Sequence, residues 1–481
     1  MEKLVSYNKM LNRVFLLTYE VALLARMVIL YSLIDSRFDT VLFSAITGLG
    51  AITFLSNVTV WVKQKKIPNI WLILFTLAMI VSSLLNGSKN LFGNFRLIAW
   101  EGILFFIVFY SASKNDEKLV RYFENIFFVF SGVTIFISLL MFITKLGYVA
   151  PLAKIYYGFR LGFVENRLYG VFVEPNFAAN MSPIVILLSL KRLINGHLSR
   201  HQRVSLEILM LLNFFYIVLS GSRTVLVESV VIVMIGMFFV SFSRFQSIRL
   251  IKRWSVSLLI GLVGVTIFAG AYYGFKSVAP YLSLPDNISL SRFKGSSNDG
   301  TMDNNGDEDI SLKREDVSNQ ADASNGRIRL WKSAIEIFQS SPIYGTSPRN
   351  LVNYAEKNLP NTRIAHSKQT PHNFLLFTLA GTGLIGIIPL LIFLITEFFG
   401  VIYALFKNDN IANVTYLLYA LIAVSSVIFG LLMPDIIFEN RIGALCFWLY
   451  LGTASYQKQF IGKEINNHAK AKLTGSTRQE H

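Results

Sequence analysis

The chain has 481 residues, 53% of them apolar and only 15% charged, a balance that no single water-soluble core can absorb. Its formal charge of +16 comes from short basic clusters at the ends of apolar runs, with no continuous basic stripe, which points to membrane orientation and away from nucleic acid. The single cysteine, Cys446, sits inside an apolar run, which leaves no disulfide and argues against thiol catalysis.

About 20 apolar residues cross a bilayer. By that measure the sequence predicts twelve spans, centred on Ala22, Gly50, Phe75, Phe105, Thr134, Ile184, Leu211, Ile232, Val263, Leu384, Val424 and Phe447. The first span, within MEKLVSYNKMLNRVFLLTYE and the residues after it, lacks a small-residue cleavage site and is expected to be retained. The expected fold class is all-α, a polytopic membrane protein with about twelve transmembrane helices and one large extracytoplasmic loop bearing amphipathic helices. Glu20, Arg26, Glu101, Glu207, Glu228 and Glu397 fall within the spans, where charge is costly, so each should face another helix or water. Lysine and arginine collect in alternate connections, at Lys63, Lys114, Lys191, Arg244 and after Gln457, which predicts cytoplasmic termini. One outer connection, Lys145 to Pro175, is more basic than that rule asks.

The division expected is helices one to nine over 1–275, an extracytoplasmic loop over 276–371, helices ten to twelve over 372–456 and a cytoplasmic tail over 457–481. Near 296–325 the loop is rich in Asp, Asn, Ser and Gly, the composition of a disordered acidic insert. A calcium loop fails there, because with Gly306 as the turn glycine the first and twelfth ligand positions are Thr301 and Leu312. After the insert, RIRLWKSAIEIF sets Ile328, Trp331, Ile335 and Phe338 at helical spacing, as one apolar face that Pro342 and Gly345 terminate. A second short amphipathic helix is expected from Leu351 to Asn358, and the two helices are expected to lie over the outer membrane surface as a lid.

Several residues carry candidate chemistry. The tight hairpin SGSRT pins Arg223 at the outer membrane boundary, where a guanidinium can grip phosphate through paired charge-assisted hydrogen bonds or merely snorkel to the headgroups. Arg327 and Arg329 open the amphipathic helix; either a pyrophosphate or plain solvation accounts for two arginines there. His372, between Pro371 and the tenth span, titrates in the range a general base needs, although a lone interfacial histidine is often only polar filler. His197 and His201 read as a solvated face, and Gly381, Gly383, Gly386 and Pro389 as packing and a kink. Asp35, Asp39, Glu165 and Glu174 are further outer carboxylates that compete as acid, base or metal ligand.

Four segments in one order, EPNFAAN at Glu174, SGSRT at Ser220, GRIRLW with SPIYGTSPRN, and PHNFLLFTLAGTGLIG at Pro371, resemble the family of O-antigen ligases and O-antigen polymerases. Those are bacterial membrane glycosyltransferases that act on polyprenyl-diphosphate-linked sugars, and the resemblance runs chiefly from Leu168 to Ile395. It implies that Arg223 and Arg327 hold the diphosphate leaving group and that His372 activates the acceptor hydroxyl, with Arg329, Glu174, Asn176 and Asn373 as further substrate contacts. It also implies inverting, metal-independent transfer at the outer face of the cytoplasmic membrane, without a cofactor or bound metal. The implied partners are a polyprenyl-diphosphate-linked glycan donor, a glycan acceptor, membrane lipids, and a chain-length regulator and flippase of the same pathway. Polymerisation of repeat units is favoured because no feature points to a lipid A core acceptor; ligation of finished glycan is the alternative, and a flippase or transporter the second. A transporter built from two six-span halves would carry its long loop in the middle and inside. Where the family commonly has glycine-x-glycine after its proline, this chain has Gly345, Thr346 and Ser347.

Overall fold

The structure, a computed structural model, describes residues 2–86, 90–113, 116–152, 155, 158–284, 311–312, 326–407, 414–433 and 438–456. Every one of the twelve predicted centres falls within a helix. The first five are α1 (Glu2–Met27), α2 (Ser36–Gln64), α3 (Ile70–Leu85), α4 (Leu91–Ala112) and α5 (Glu117–Ile143). A small sheet follows, then α6 (Pro175–Asn195), α7 (Arg200–Leu219), α8 (Arg223–Arg244) and α9 (Leu250–Val278). Three short helices, α10 (Arg327–Ser340), α11 (Leu351–Asn358) and α12 (Arg363–Ser367), precede α13 (Phe374–Lys407), α14 (Val414–Leu432) and α15 (Ile442–Tyr456). Among the described residues nine helices are long and apolar enough to cross a membrane on their own. The other three predicted spans are α1, whose first half is polar, and the short helices α3 and α15. α15 needs no lipid-facing length of its own, because Ala444 through Leu451 are all fully buried by surrounding helices.

Aromatic packing fills the centre. Trp448 on α15 lies against Phe105 and Phe109 of α4 and Phe393 of α13, with ring centroids 4.6, 5.9 and 5.6 Å away. Within α4 a π-helical turn covers Leu104–Phe109. Such a turn releases a carbonyl from the regular ladder, and the Asn57 amide donates to Phe106 O at 3.1 Å. Of the six charges named within the spans, Glu20, Glu101 and Glu228 are buried, as lipid demands. Glu228 pairs with Ser425 and, in the amide orientation that satisfies both groups, with Asn180; Glu397 accepts from Ser455. Glu20 and Glu101 are fully buried with no hydrogen-bond partner among the described residues. Glu207 is exposed on α7.

Two features of the connecting segments differ from the sequence-based expectation. First, the basic connection after α5 forms a three-stranded antiparallel sheet, β1 (Gly147–Ala150), β2 (Phe159–Val164) and β3 (Arg167–Gly170), in the order β1-β2-β3. The β2–β3 turn places Glu165 and Asn166 at φ 53° and 57°, the left-handed pair that a two-residue hairpin requires. Second, α10 buries Leu330, Ala334 and Ile337, while Ile328 and Ile335 of the predicted apolar face are 50% and 43% exposed. The helix is apolar on two sides, and tertiary contact selects between them: Ser333, on the buried side, accepts the backbone N–H of Arg363 at the start of α12 (2.8 Å). The predicted helix at Leu351–Asn358 is present with those bounds. Of the insert near 296–325, only Ser311 and Leu312 belong to the described residues, and Leu312 is buried; the tail over 457–481 lies outside them.

Candidate functional site at the broken end of α13

The segments singled out in the sequence meet at one end of the bundle, and a break in a helix joins two of them. Gly383 has φ 62° and ψ −158°, a conformation open essentially only to glycine, and it interrupts α13. The backbone groups freed by the break pair with the loop SPIYGTSPRN. Thr346 N donates to Ala380 O (3.1 Å) and Ser347 N to Gly381 O (2.8 Å), while Leu384 N and Ile385 N donate to Pro342 O (2.9 Å) and Ile343 O (3.1 Å). There is no room for a side chain at this junction: a Cβ on Gly345 would lie 2.5 Å from Gly381 and one on Gly383 2.5 Å from Ile343. The glycines therefore serve a backbone pairing more than the helix packing expected of them. Ser347 holds φ 71° without being glycine, fixed by a hydrogen bond from Asn94 Nδ2 to its Oγ (2.5 Å). Asn94 Oδ1 in turn accepts Arg349 N (3.0 Å), so α4 sets the direction of Arg349.

Arg327 stands beside the turn that carries Arg223, and its charge acts on His372. Gly326, at φ 78°, caps α10 and turns the chain so that Arg327 is its first helical residue. The half-buried guanidinium reaches Thr224 Oγ1 (3.5 Å), next to Arg223 in the first turn of α8, and Met433 Sδ (3.6 Å) past the end of α14. The same charge acts on His372, whose pKa is pushed down to about 4, first by burial and second by Arg327. His372 itself has φ 54°. It is held there by Asn373, whose Oδ1 accepts from Leu375 N and Leu376 N (3.0 Å each) and whose Nδ2 donates to Leu431 O (3.2 Å). Asn373 is thus committed to capping α13 and docking it on α14. Arg329 is exposed, on the opposite side of α10 from Arg327.

Glu174 and Asn176 stand one step away. Glu174 caps α6 and accepts from Asn176 Nδ2 (2.7 Å); Asn176 Oδ1 accepts from Arg167 Nη2 (2.8 Å), and Arg167 Nε donates to Ser220 O (2.9 Å). Arg167, nearly buried on β3, therefore clamps the hairpin that carries Arg223 to the start of α6. Nothing in the sequence distinguishes Arg167 from the other basic residues of its connection. Of the remaining candidate carboxylates, Asp39 is gripped by both nitrogens of the Arg26 fork (2.9 and 2.7 Å), Asp35 caps α2 and Glu165 pairs with Arg160 (2.5 Å). His197 and His201 are exposed at the far end of α6 and the start of α7.

Beside this cluster lies a cavity of about 700 Å³, lined by Arg26, Arg96, Arg349 and Arg441, by Glu174 and Glu439, and by Trp100, Phe177 and Phe438. Glu439 accepts Arg349 Nη2 at 3.0 Å and Arg441 Nε at 2.9 Å, one arginine on each oxygen. Arg441 lies over the Phe177 ring at 4.4 Å, and Phe438 meets Phe374, two residues after His372, edge-on at 6.4 Å. These arginines escaped the sequence reading because a basic residue at the end of a span looks the same whether it snorkels or lines a cavity.

The segment that carries Arg223, Arg327 and His372 has a counterpart among known families: residues 208–391 match the family model described as O-Antigen ligase. Over this segment the chain is similar to the O-antigen ligase family. No curated protein matches the chain. The family segment contains the SGSRT hairpin, α10, the SPIYGTSPRN loop and the broken start of α13, which is the set of pieces the structure brings together. Glu174 and Asn176 lie before it, and of the residues that line the cavity only Arg349 lies within it.

Proposed function

We propose that this membrane protein is a glycosyltransferase that takes glycan from a polyprenyl-diphosphate carrier at the outer face of the cytoplasmic membrane and joins repeat units into surface polysaccharide. The observation that carries the reading is Arg327, whose side chain contacts the turn of Arg223 and whose charge acts on His372, three residues separated by more than a hundred positions of sequence in one case. In the proposed reaction His372 takes the proton of an acceptor hydroxyl, whose oxygen attacks the anomeric carbon from the side opposite the carrier. The bond from that carbon to the phosphate oxygen breaks, the configuration inverts, and the lipid diphosphate leaves. Arg223 and Arg327 offset the charge that grows on the departing diphosphate, the electrostatic kind of stabilisation that usually contributes most. The exposed Ile328 and Ile335 of α10 suit contact with the membrane surface beside the carrier's lipid tail. An outward site with cytoplasmic termini rests on the charge distribution of the connections.

The family description favours a second reading, ligation of finished glycan to an acceptor. Deletion of the gene followed by analysis of surface and lipid-linked glycan separates the two. Loss of long chains with single repeat units retained is the expected result for a polymerase; accumulation of finished polymer on its lipid carrier identifies a ligase. Unchanged surface glycan in both fractions refutes both.

A further inference from the structure

The cavity beside the transfer residues has a charge balance that the proposed diphosphate chemistry leaves unused. Arg26 is neutralised by Asp39, but Arg349 and Arg441 share the one carboxylate of Glu439. Arg96 lines the same space and makes no ion pair or hydrogen bond among the described residues. Glu174 keeps its own charge, so four arginines stand against Asp39, Glu439 and Glu174 and the wall keeps one net positive charge. Asn440 adds an amide whose nitrogen and oxygen are both buried without a partner among the described residues, a costly arrangement that a polar occupant relieves. Trp100, Phe177 and Phe438 supply flat apolar walls, which suit the C–H faces of a sugar ring, and the volume falls in the range of about 300–1,000 Å³ usual for small-ligand sites.

We propose that this cavity is a subsite for an anionic sugar of the glycan, such as a uronic acid, with Arg96 taking the carboxylate and the aromatic walls taking the ring. The inference rests on the reading of the protein as a glycan transferase and names one chemical feature of its substrate. A guanidinium grips a carboxylate in a paired, planar contact, so the subsite selects an acidic sugar over its neutral counterpart. All the cavity's lining residues except Arg349 lie outside the family segment 208–391. The division assigns transfer to that segment and sugar selection to the helix ends around it.

The test is equilibrium binding to the full-length protein in lipid nanodiscs, which requires no transfer. The probes are a glucuronate-containing disaccharide, the same disaccharide with its carboxyl reduced to the alcohol, and inorganic diphosphate. The expected result is saturable binding of the acidic disaccharide, weakened about tenfold or more by carboxyl reduction and by Arg96→Gln, with His201→Ala, at the exposed start of α7, leaving it unchanged. Because Arg96 is exposed and unbonded, Arg96→Gln should keep the unfolding temperature of the parent, which separates lost binding from lost folding. Equal binding of the acidic and reduced disaccharides, no binding of either, or no loss on Arg96→Gln overturns the proposal. Competition by diphosphate that disappears with Arg96→Gln also overturns it and makes the cavity a carrier diphosphate site. An intact glycan profile after gene deletion would refute the transfer reading while leaving this binding result standing, so the two failures are distinguishable.

Discussion

The pH dependence of transfer tests the placement of His372. Burial, followed by the charge of Arg327, lowers its pKa from 6.5 to about 4, a difference of roughly 3 kcal/mol against the protonated ring. In the free protein the ring is therefore neutral throughout the physiological range and able to accept a proton, but it is a weak base. In the proposed reaction a diphosphate bound beside Arg327 would offset the second of those causes and raise the basicity of the ring. With the purified protein and a lipid-linked donor, kcat/KM reports the free protein and kcat the donor complex. A pKa of about 4 leaves about 97% of the ring neutral at pH 5.5, whereas an ordinary value of 6.5 leaves about 9%. Thus kcat/KM is expected to be nearly equal at pH 5.5 and 7.5, and kcat is expected to fall at a higher pH than kcat/KM does. A tenfold drop of kcat/KM over that interval, set by a histidine titrating near 6.5, would refute the buried placement beside Arg327. Abolition of both profiles by His372→Gln, with donor binding retained, ties the limb to this residue.

Arg223→Ala and Arg327→Ala should each lower transfer by about a hundredfold or more at normal protein abundance, with lysine a poor substitute because it lacks the planar fork. Arg329→Ala, on the exposed side of α10, should leave transfer near normal; an equal loss there would assign the helix a docking role and not a specific contact. Arg167→Lys cannot span both Ser220 O and Asn176 Oδ1, so kcat should fall about tenfold while KM for the donor changes little; an unchanged kcat would show that the Arg223 hairpin holds its place without the clamp. Gly383→Ala meets both a backbone conformation worth about 1–3 kcal/mol of strain and the 2.5 Å approach of Ile343, and should sharply reduce folded protein in a thermal unfolding assay. A full yield with unchanged unfolding would mean that the break in α13 is not required.

The sequence alone determined the elements that answer to the solvent. Apolar runs made helices legible at all twelve predicted centres, nine of them long and apolar enough to cross a membrane, because in a bilayer every backbone group must be satisfied within its own segment. The amphipathic α11 was legible from its own polar and apolar pattern, whereas Arg223, Arg327 and His372 were singled out by the segments that carry the resemblance. What the sequence could not decide was which of two apolar sides of α10 is buried, since Ile328 and Ile335 have the same period as Leu330, Ala334 and Ile337. Only packing against α12 and α13 makes that choice. Nor could it reveal that Gly381 and Gly383 serve a backbone junction with Thr346 and Ser347, because hydrogen bonds across more than thirty residues leave no local periodicity. Arg96, Arg349 and Arg441 are the clearest case. Each looks like an ordinary interfacial arginine in the sequence, and they become parts of one cavity only when α4, the loop before α11 and the start of α15 are brought to the same end of the bundle.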